Sequence, residues 1–172
     1  YVLREMTQPG GGFYSTQDAD SEGVEGKFFV WTPEEVVEAL GRDDARVFMA
    51  CYDVTPDGNW EGHSILNRTE TYAELARMLD RPEEALRDVL ARCRQKLLDV
   101  RSRRVAPGRD DKVLVSWNGL MISAMARGAA VLAEPRYAQA AQEAADFILG
   151  SMRADDGRLL HAFKDGRARF NA

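Results

Sequence analysis

The residues best equipped for chemistry are carboxylates placed beside aromatics and amides. Asp110 and Asp111 stand before Lys112 and shortly before Trp117 and Asn118. Carboxylates just ahead of a helix start are favoured by the helix dipole, which also lowers their pKa. Such a pair could ligate sugar hydroxyls or serve as acid and base. It could equally be a cap braced by Lys112 and Arg109. Neighbours on an extended segment point to opposite faces, so one of the two aspartates at most faces a cleft. Trp117 and Trp31 could stack on a sugar ring or fill core. Asn118 could bind a ligand or tie down a loop. A second acidic group, Asp18, Asp20, Glu22 and Glu25, lies in a loop with Gly23 and Gly26. Its Asp-x-Asp-x-Glu-Gly spacing partly matches a calcium loop, but no Glu follows at the twelfth position, so no metal is expected. His63 and His161 are isolated, and each is expected at the surface or packed.

These groups need elements to hold them. Phe13–Thr16 and Lys27–Trp31 have strand composition and are expected to form a hairpin around the acidic tip. Thr32-Pro33-Glu34-Glu35 opens a helix to about Leu40, with a capping box and a proline at the first position. A short helix is expected over Asp44–Cys51. Turn chemistry covers Asp53–Leu66. Thr71-Tyr72-Ala73-Glu74 is a second capping box, opening a helix to about Leu79. Glu83 to about Arg103 reads as a long amphipathic helix with Leu86, Val89, Leu90, Cys93, Leu97 and Val100 as its stripe. The segment from Ser116 or Trp117 to Leu132 is apolar nearly all round and is expected to be the most buried helix. The segment Pro135–Met152 is one-sided and is expected to be half exposed. Asp165-Gly166 marks the turn of a closing hairpin between residues 158–163 and 167–170. Connectivity then brings residues 10–31, 110–118 and 155–170 to one end of the helices, with a carboxylate near Trp117 or Asn118.

Among 172 residues, 45% are hydrophobic and the net charge is −5. That composition builds a core and argues against a nucleic-acid partner. The Arg101–Arg104 run falls at a helix end, where cations suit the dipole better than they suggest a phosphate site. Cys51 and Cys93 read as small core residues. No apolar run has transmembrane length, so no membrane partner is expected.

Three stretches together carry a resemblance: Gly11-Gly12-Phe13-Tyr14 with Asp18-Ala19-Asp20-Ser21-Glu22-Gly23; Gly58-Asn59-Trp60-Glu61-Gly62; and Asp110-Asp111-Lys112-Val113-Leu114-Val115-Ser116-Trp117-Asn118-Gly119-Leu120. The chain resembles the YyaL / spermatogenesis-associated protein 20 family of thioredoxin domain-containing proteins. The resemblance implies a mainly α fold, part of an (α/α)6 toroid with β-hairpin insertions, similar to six-hairpin glycosidases and N-acylglucosamine 2-epimerases. The 172 residues would form a single partial toroid domain of a longer cytoplasmic protein. Their partners would be the remaining toroid helices and a thioredoxin-like domain. Apolar surface left open in such a piece is expected to drive self-association. The implied function is carbohydrate-active, a sugar epimerase, isomerase or glycosidase-like enzyme. The alternative is a non-catalytic binding or scaffold domain serving the thioredoxin-like domain. The ligand-binding candidates are Asp18, Asp20, Asp110, Asp111, Lys112, Trp117 and Asn118, with no cofactor. Ser64 stands where the resemblance leads one to expect asparagine.

Overall fold

The computed structural model describes residues 1–171. In chain order the elements begin with α1 (Val2–Glu5), β1 (Thr16–Gln17), β2 (Asp20–Ser21), β3 (Val24–Glu25), α2 (Pro33–Leu40), α3 (Arg42–Tyr52) and α4 (Tyr72–Met78). They continue with α5 (Glu83–Arg101), β4 (Arg109–Asp110), β5 (Val113–Leu114), α6 (Val115–Leu132), α7 (Pro135–Ser151), β6 (Leu160–Lys164) and β7 (Arg167–Asn171). The fold is mainly α with small antiparallel sheets. It divides into two compact units, one of residues 1–18 with 108–171 and one of residues 19–107.

In the unit of residues 19–107, both expected capping boxes form. The Thr32 hydroxyl accepts from the Glu35 N–H at 3.3 Å, and the Glu35 carboxylate accepts from the Thr32 N–H at 2.9 Å. Thr71 and Glu74 repeat the pattern at the start of α4. Two otherwise orphaned N–H groups are satisfied at each start, which fixes where the helices begin. The α5 stripe Leu86, Leu90, Cys93 and Leu97 is buried against Val36, Leu40, Val47 and Phe48. Burying each large aliphatic side chain contributes about 1.5–3 kcal/mol, so this stripe holds the unit together. Cys51 and Cys93 are buried in the same core. Burial pushes both thiols above their ordinary value, which suits packing and not nucleophilic chemistry.

Trp31 also belongs to this core and is only 1% exposed, so it is no stacking platform. The Arg104 guanidinium lies 4.1 Å from the centre of its ring. The same guanidinium donates to the carbonyls of Val30 (2.8 Å) and Phe28 (3.2 Å) and to the Glu35 carboxylate (3.1 Å). Arg104 therefore braces the chain ahead of α2. The hairpin expected between residues 13–16 and 27–31 does not form. Thr16–Gln17 pairs instead with Arg109–Asp110, and the acidic tip closes on itself, Asp20 opposite Glu25 and Ser21 opposite Val24. The reason is local: Gly23 and Gly26, both at positive φ, let the tip turn before residues 27–31 can reach back.

In the other unit, β5 runs straight into α6, and α6 packs along α7. The three-stranded sheet has the order β5-β6-β7. Val113 pairs with Phe163, and Phe163 with Ala168, so these three share one face and pack toward Val115, Ile148 and Met152. The closing hairpin turns at Asp165-Gly166 as expected, with both residues at positive φ. Gly11 crosses α7 so closely that a Cβ there would stand 2.3 Å from the Glu143 carbonyl oxygen.

The helix α6, expected to be the most buried, is largely exposed, whereas α7 is half exposed as expected. Only Val115 and Asn118 of α6 are buried, whereas α7 buries Ala140, Ala141, Ala144 and Ile148. Leu120 is 73% exposed, and Val131 and Leu132 are exposed as well. An all-round apolar helix needs a partner on each side to be buried, and in this unit α6 has α7 along one side with β5 and β6 at its start.

Candidate functional site

Asp110 lies at the end of β4, held by pairing with β1: Thr16 opposes Asp110, and the Ser15 hydroxyl donates to the Asp110 carbonyl. Its carboxylate accepts from the Lys112 ammonium at 3.0 Å and lies 3.7 Å from that of Lys164. The Lys112 side chain holds the Asp110 carboxyl below its ordinary 3.8, helped by the Lys112 backbone N–H. Because the folded pKa is the lower one, the stabilising contribution is fully present above about pH 4. It is lost as pH falls through the folded value. Replacing Lys112 with methionine is expected to return the Asp110 carboxyl toward 3.8, read by carboxyl-carbon NMR titration. An unchanged titration would show that Lys112 does not hold the charge.

Asp111 turns the other way, to the Arg109 guanidinium at 2.9 Å. That guanidinium also donates to the Glu5 carbonyl and covers the Tyr14 ring at 4.2 Å. Asn118 is 1% exposed. Its amide oxygen accepts from the Phe13 N–H at 2.7 Å, and its amide nitrogen donates to the carbonyls of Phe13 (2.9 Å) and Leu114 (3.0 Å). The side chain thus replaces a sheet partner for residue 13 and locks it to the start of α6. Trp117, one residue earlier, is 50% exposed. The Asp18 N–H donates to the Gly108 carbonyl at 2.7 Å. Asp20 sits in β2, in the other unit. Asp18, Asp110, Asp111, Lys112, Trp117 and Asn118 thus fall in one unit, where the β1–β4 pairing joins the strand after Phe13 to the segment leading into α6.

A second arrangement, in the unit of residues 19–107, was not expected as a site. Trp60-Glu61-Gly62-His63 is a two-residue hairpin: the Trp60 and His63 backbones exchange both hydrogen bonds, at 2.8 and 2.9 Å. Its central residues Glu61 and Gly62 both have positive φ, 46° and 77°, the signature of a type I′ turn. The His63 carbonyl also accepts from the Asn59 N–H at 2.8 Å. The Asn59 side chain holds both backbone groups of Ile65, accepting from its N–H at 2.7 Å and donating to its carbonyl at 3.0 Å. Buried Ser64 pairs its backbone with Trp31. This scaffold presents Trp60, Glu61 and His63 to a cleft of about 180 Å³, which Glu25, Lys27 and Glu35 also line. The Gly58–Gly62 motif was visible in the sequence. Its value as a rigid mount was not, because that depends on backbone hydrogen bonds to His63 and Ile65.

A glutamate at positive φ is strained, whereas glycine or asparagine is not. Glu61→Gly is therefore expected to raise stability by about 0.5–1 kcal/mol. Thermal unfolding checks this, and a lower melting temperature would mean that the Glu61 side chain is a structural support.

The class that the structure defines is a mainly α protein with small antiparallel sheets. No family model matches it. It is 31% identical over 192 residues to human spermatogenesis-associated protein 20, across 96% of this chain and 24% of that protein. The mouse protein of the same name is 29% identical across 92% of the chain, and an uncharacterized protein of Caenorhabditis elegans is 27% identical across 91%. The chain belongs to the spermatogenesis-associated protein 20 family. It spans about a quarter of the length of these curated relatives.

Proposed function

We propose that the chain is part of a carbohydrate-active (α/α)6 toroid domain and that the Trp60 cleft binds a sugar. The observation that carries this reading is a 38% exposed tryptophan on a rigid turn, sharing one cleft with Glu25, Glu35, Glu61 and His63. An aromatic face receives the apolar side of a sugar ring, and carboxylates accept from its hydroxyls. The Glu35 carboxylate is already committed to Thr32 and Arg104, so Glu61 and Glu25 are the acceptors for hydroxyls. Sugar epimerisation, isomerisation or glycoside cleavage is the class of reaction this reading entails. Titration with mono- and disaccharides, followed by tryptophan fluorescence, tests it. A saturable change that disappears in Trp60→Ala and survives in Trp117→Phe is expected. A change that disappears only with Trp117→Phe would move the site to the start of α6 and to Asp110, Asp111 and Lys112.

One observation favours the non-catalytic alternative, a scaffold serving a thioredoxin-like domain. The exposed apolar residues Leu120, Val131 and Leu132 on α6 suit contact with further polypeptide. Under that reading no saccharide alters fluorescence or melting, and Leu120→Glu changes the association state.

A further inference from the structure

We propose a second ligand site, for a phosphorylated small molecule, on the outer face of the β5-β6-β7 sheet. Register places it there. Lys164 pairs with Arg167 and Ala162 with Arg169, while Phe163 and Ala168 between them face the core. Side chains alternate along a strand, so Lys164, Arg167 and Arg169 emerge on the side away from that core. Lys112, just before β5, joins them in a cleft of about 180 Å³ that Phe170 also lines, with Asp165 as the one carboxylate in the lining against four cations. Phe170 has φ 62° and is 71% exposed. A left-handed phenylalanine is a genuine outlier, and here it adds an aromatic wall to a cationic floor.

The charge balance points to a phosphate. Lys112 and Lys164 share Asp110, whereas Arg167 and Arg169 have no ion pair with any other described residue. Like charges held side by side on a sheet repel one another, and a bound anion removes that cost. Arginine forks match phosphate oxygens in pairs, and lysine adds point charge. Asp110 holds the two ammoniums in place from one side. The cleft is of small-molecule size, and the chain's net charge of −5 opposes a long polyanion. The site lies apart in sequence from the Trp60 turn and does not depend on that turn binding sugar.

The test uses the ¹⁵N-labelled chain titrated with inorganic phosphate at constant ionic strength. Saturable backbone shifts confined to Lys112 and residues 162–170 are expected. In the doubly substituted Arg167→Gln, Arg169→Gln chain the affinity is expected to fall about tenfold or more. Both side chains are exposed and their mutual repulsion is relieved, so the circular dichroism melt should not fall. Arg158→Gln, at an exposed arginine paired only locally with Asp156, should leave phosphate binding as it was. Shifts spread over all basic residues, no saturation, or equal affinity in the double variant would overturn the proposal. Tighter binding of a single-stranded oligonucleotide than of phosphate and glucose 6-phosphate would overturn the small-molecule assignment.

Discussion

Asn118→Ala is expected to cost about 3 kcal/mol of stability and to leave the unit of residues 1–18 and 108–171 at the edge of folding. The asparagine is almost fully buried and makes three hydrogen bonds to backbone, two of them with Phe13 and one with Leu114. Alanine removes all three bonds at once. The Phe13 N–H and C=O then remain in an apolar cluster with Ala140 and Ala144, without a partner. An orphaned buried polar group costs about 1–3 kcal/mol, and two of them exceed the net value of a single hydrogen bond. Asn118→Asp tests the same point more finely. It keeps the acceptor for the Phe13 N–H but sets a carboxylate oxygen against two carbonyls. Both changes should lower the melting temperature by many degrees, with the aspartate milder at low pH, where its carboxyl is protonated and can donate. A small thermal effect together with loss of a ligand response would make Asn118 a binding residue and not a brace.

Gly58→Ala is expected to have the second large effect, in the unit of residues 19–107. A Cβ at this position would lie 2.2 Å from the His63 carbonyl oxygen and 2.6 Å from the His63 nitrogen, and both are backbone atoms. The backbone there is also at φ +68°, where an L side chain is strained. Relief requires breaking the bonds from Asn59 and Trp60 to the His63 carbonyl. The cost is about 2–4 kcal/mol, from overpacking, strain and lost hydrogen bonds together. Because those bonds position Trp60, the variant should lose any saccharide response even at temperatures where it stays folded. Gly62→Ala is the control. It shares a positive φ of 77°, but its Cβ would meet nothing within 4 Å. It should cost only about 1 kcal/mol and keep the turn. Equal destabilisation by the two changes would show that dihedral strain alone, and not the contact with His63, makes Gly58 necessary.

Asn118 and Gly58 each belong to a motif visible in the sequence, yet the two motifs are legible to different depths. For Asn118, the sequence offers ligand or loop tie, and the structure supplies the buried bonds to Phe13 that make the tie. For Trp31 and Trp117, stacking and core were both open. The structure buries the first and leaves the second half exposed. No local pattern separates such cases, because burial depends on what else arrives at the same place.

What the sequence determined by itself was whatever is decided within a turn or two of chain. Thr32 with Glu35 and Thr71 with Glu74 started helices, because each box satisfies its own N–H groups. The α5 stripe set a buried face, and Asp165-Gly166 set the last hairpin. Tertiary structure decided the rest. It paired Thr16–Gln17 with Arg109–Asp110 instead of with residues 27–31, because strand pairing joins segments far apart in sequence and composition does not name the partner. It also gathered Lys112, Lys164, Arg167 and Arg169 on one sheet face by register. Finally, it left the all-apolar α6 largely uncovered, since periodicity reports which surface seeks burial, whereas only the neighbouring elements supply it.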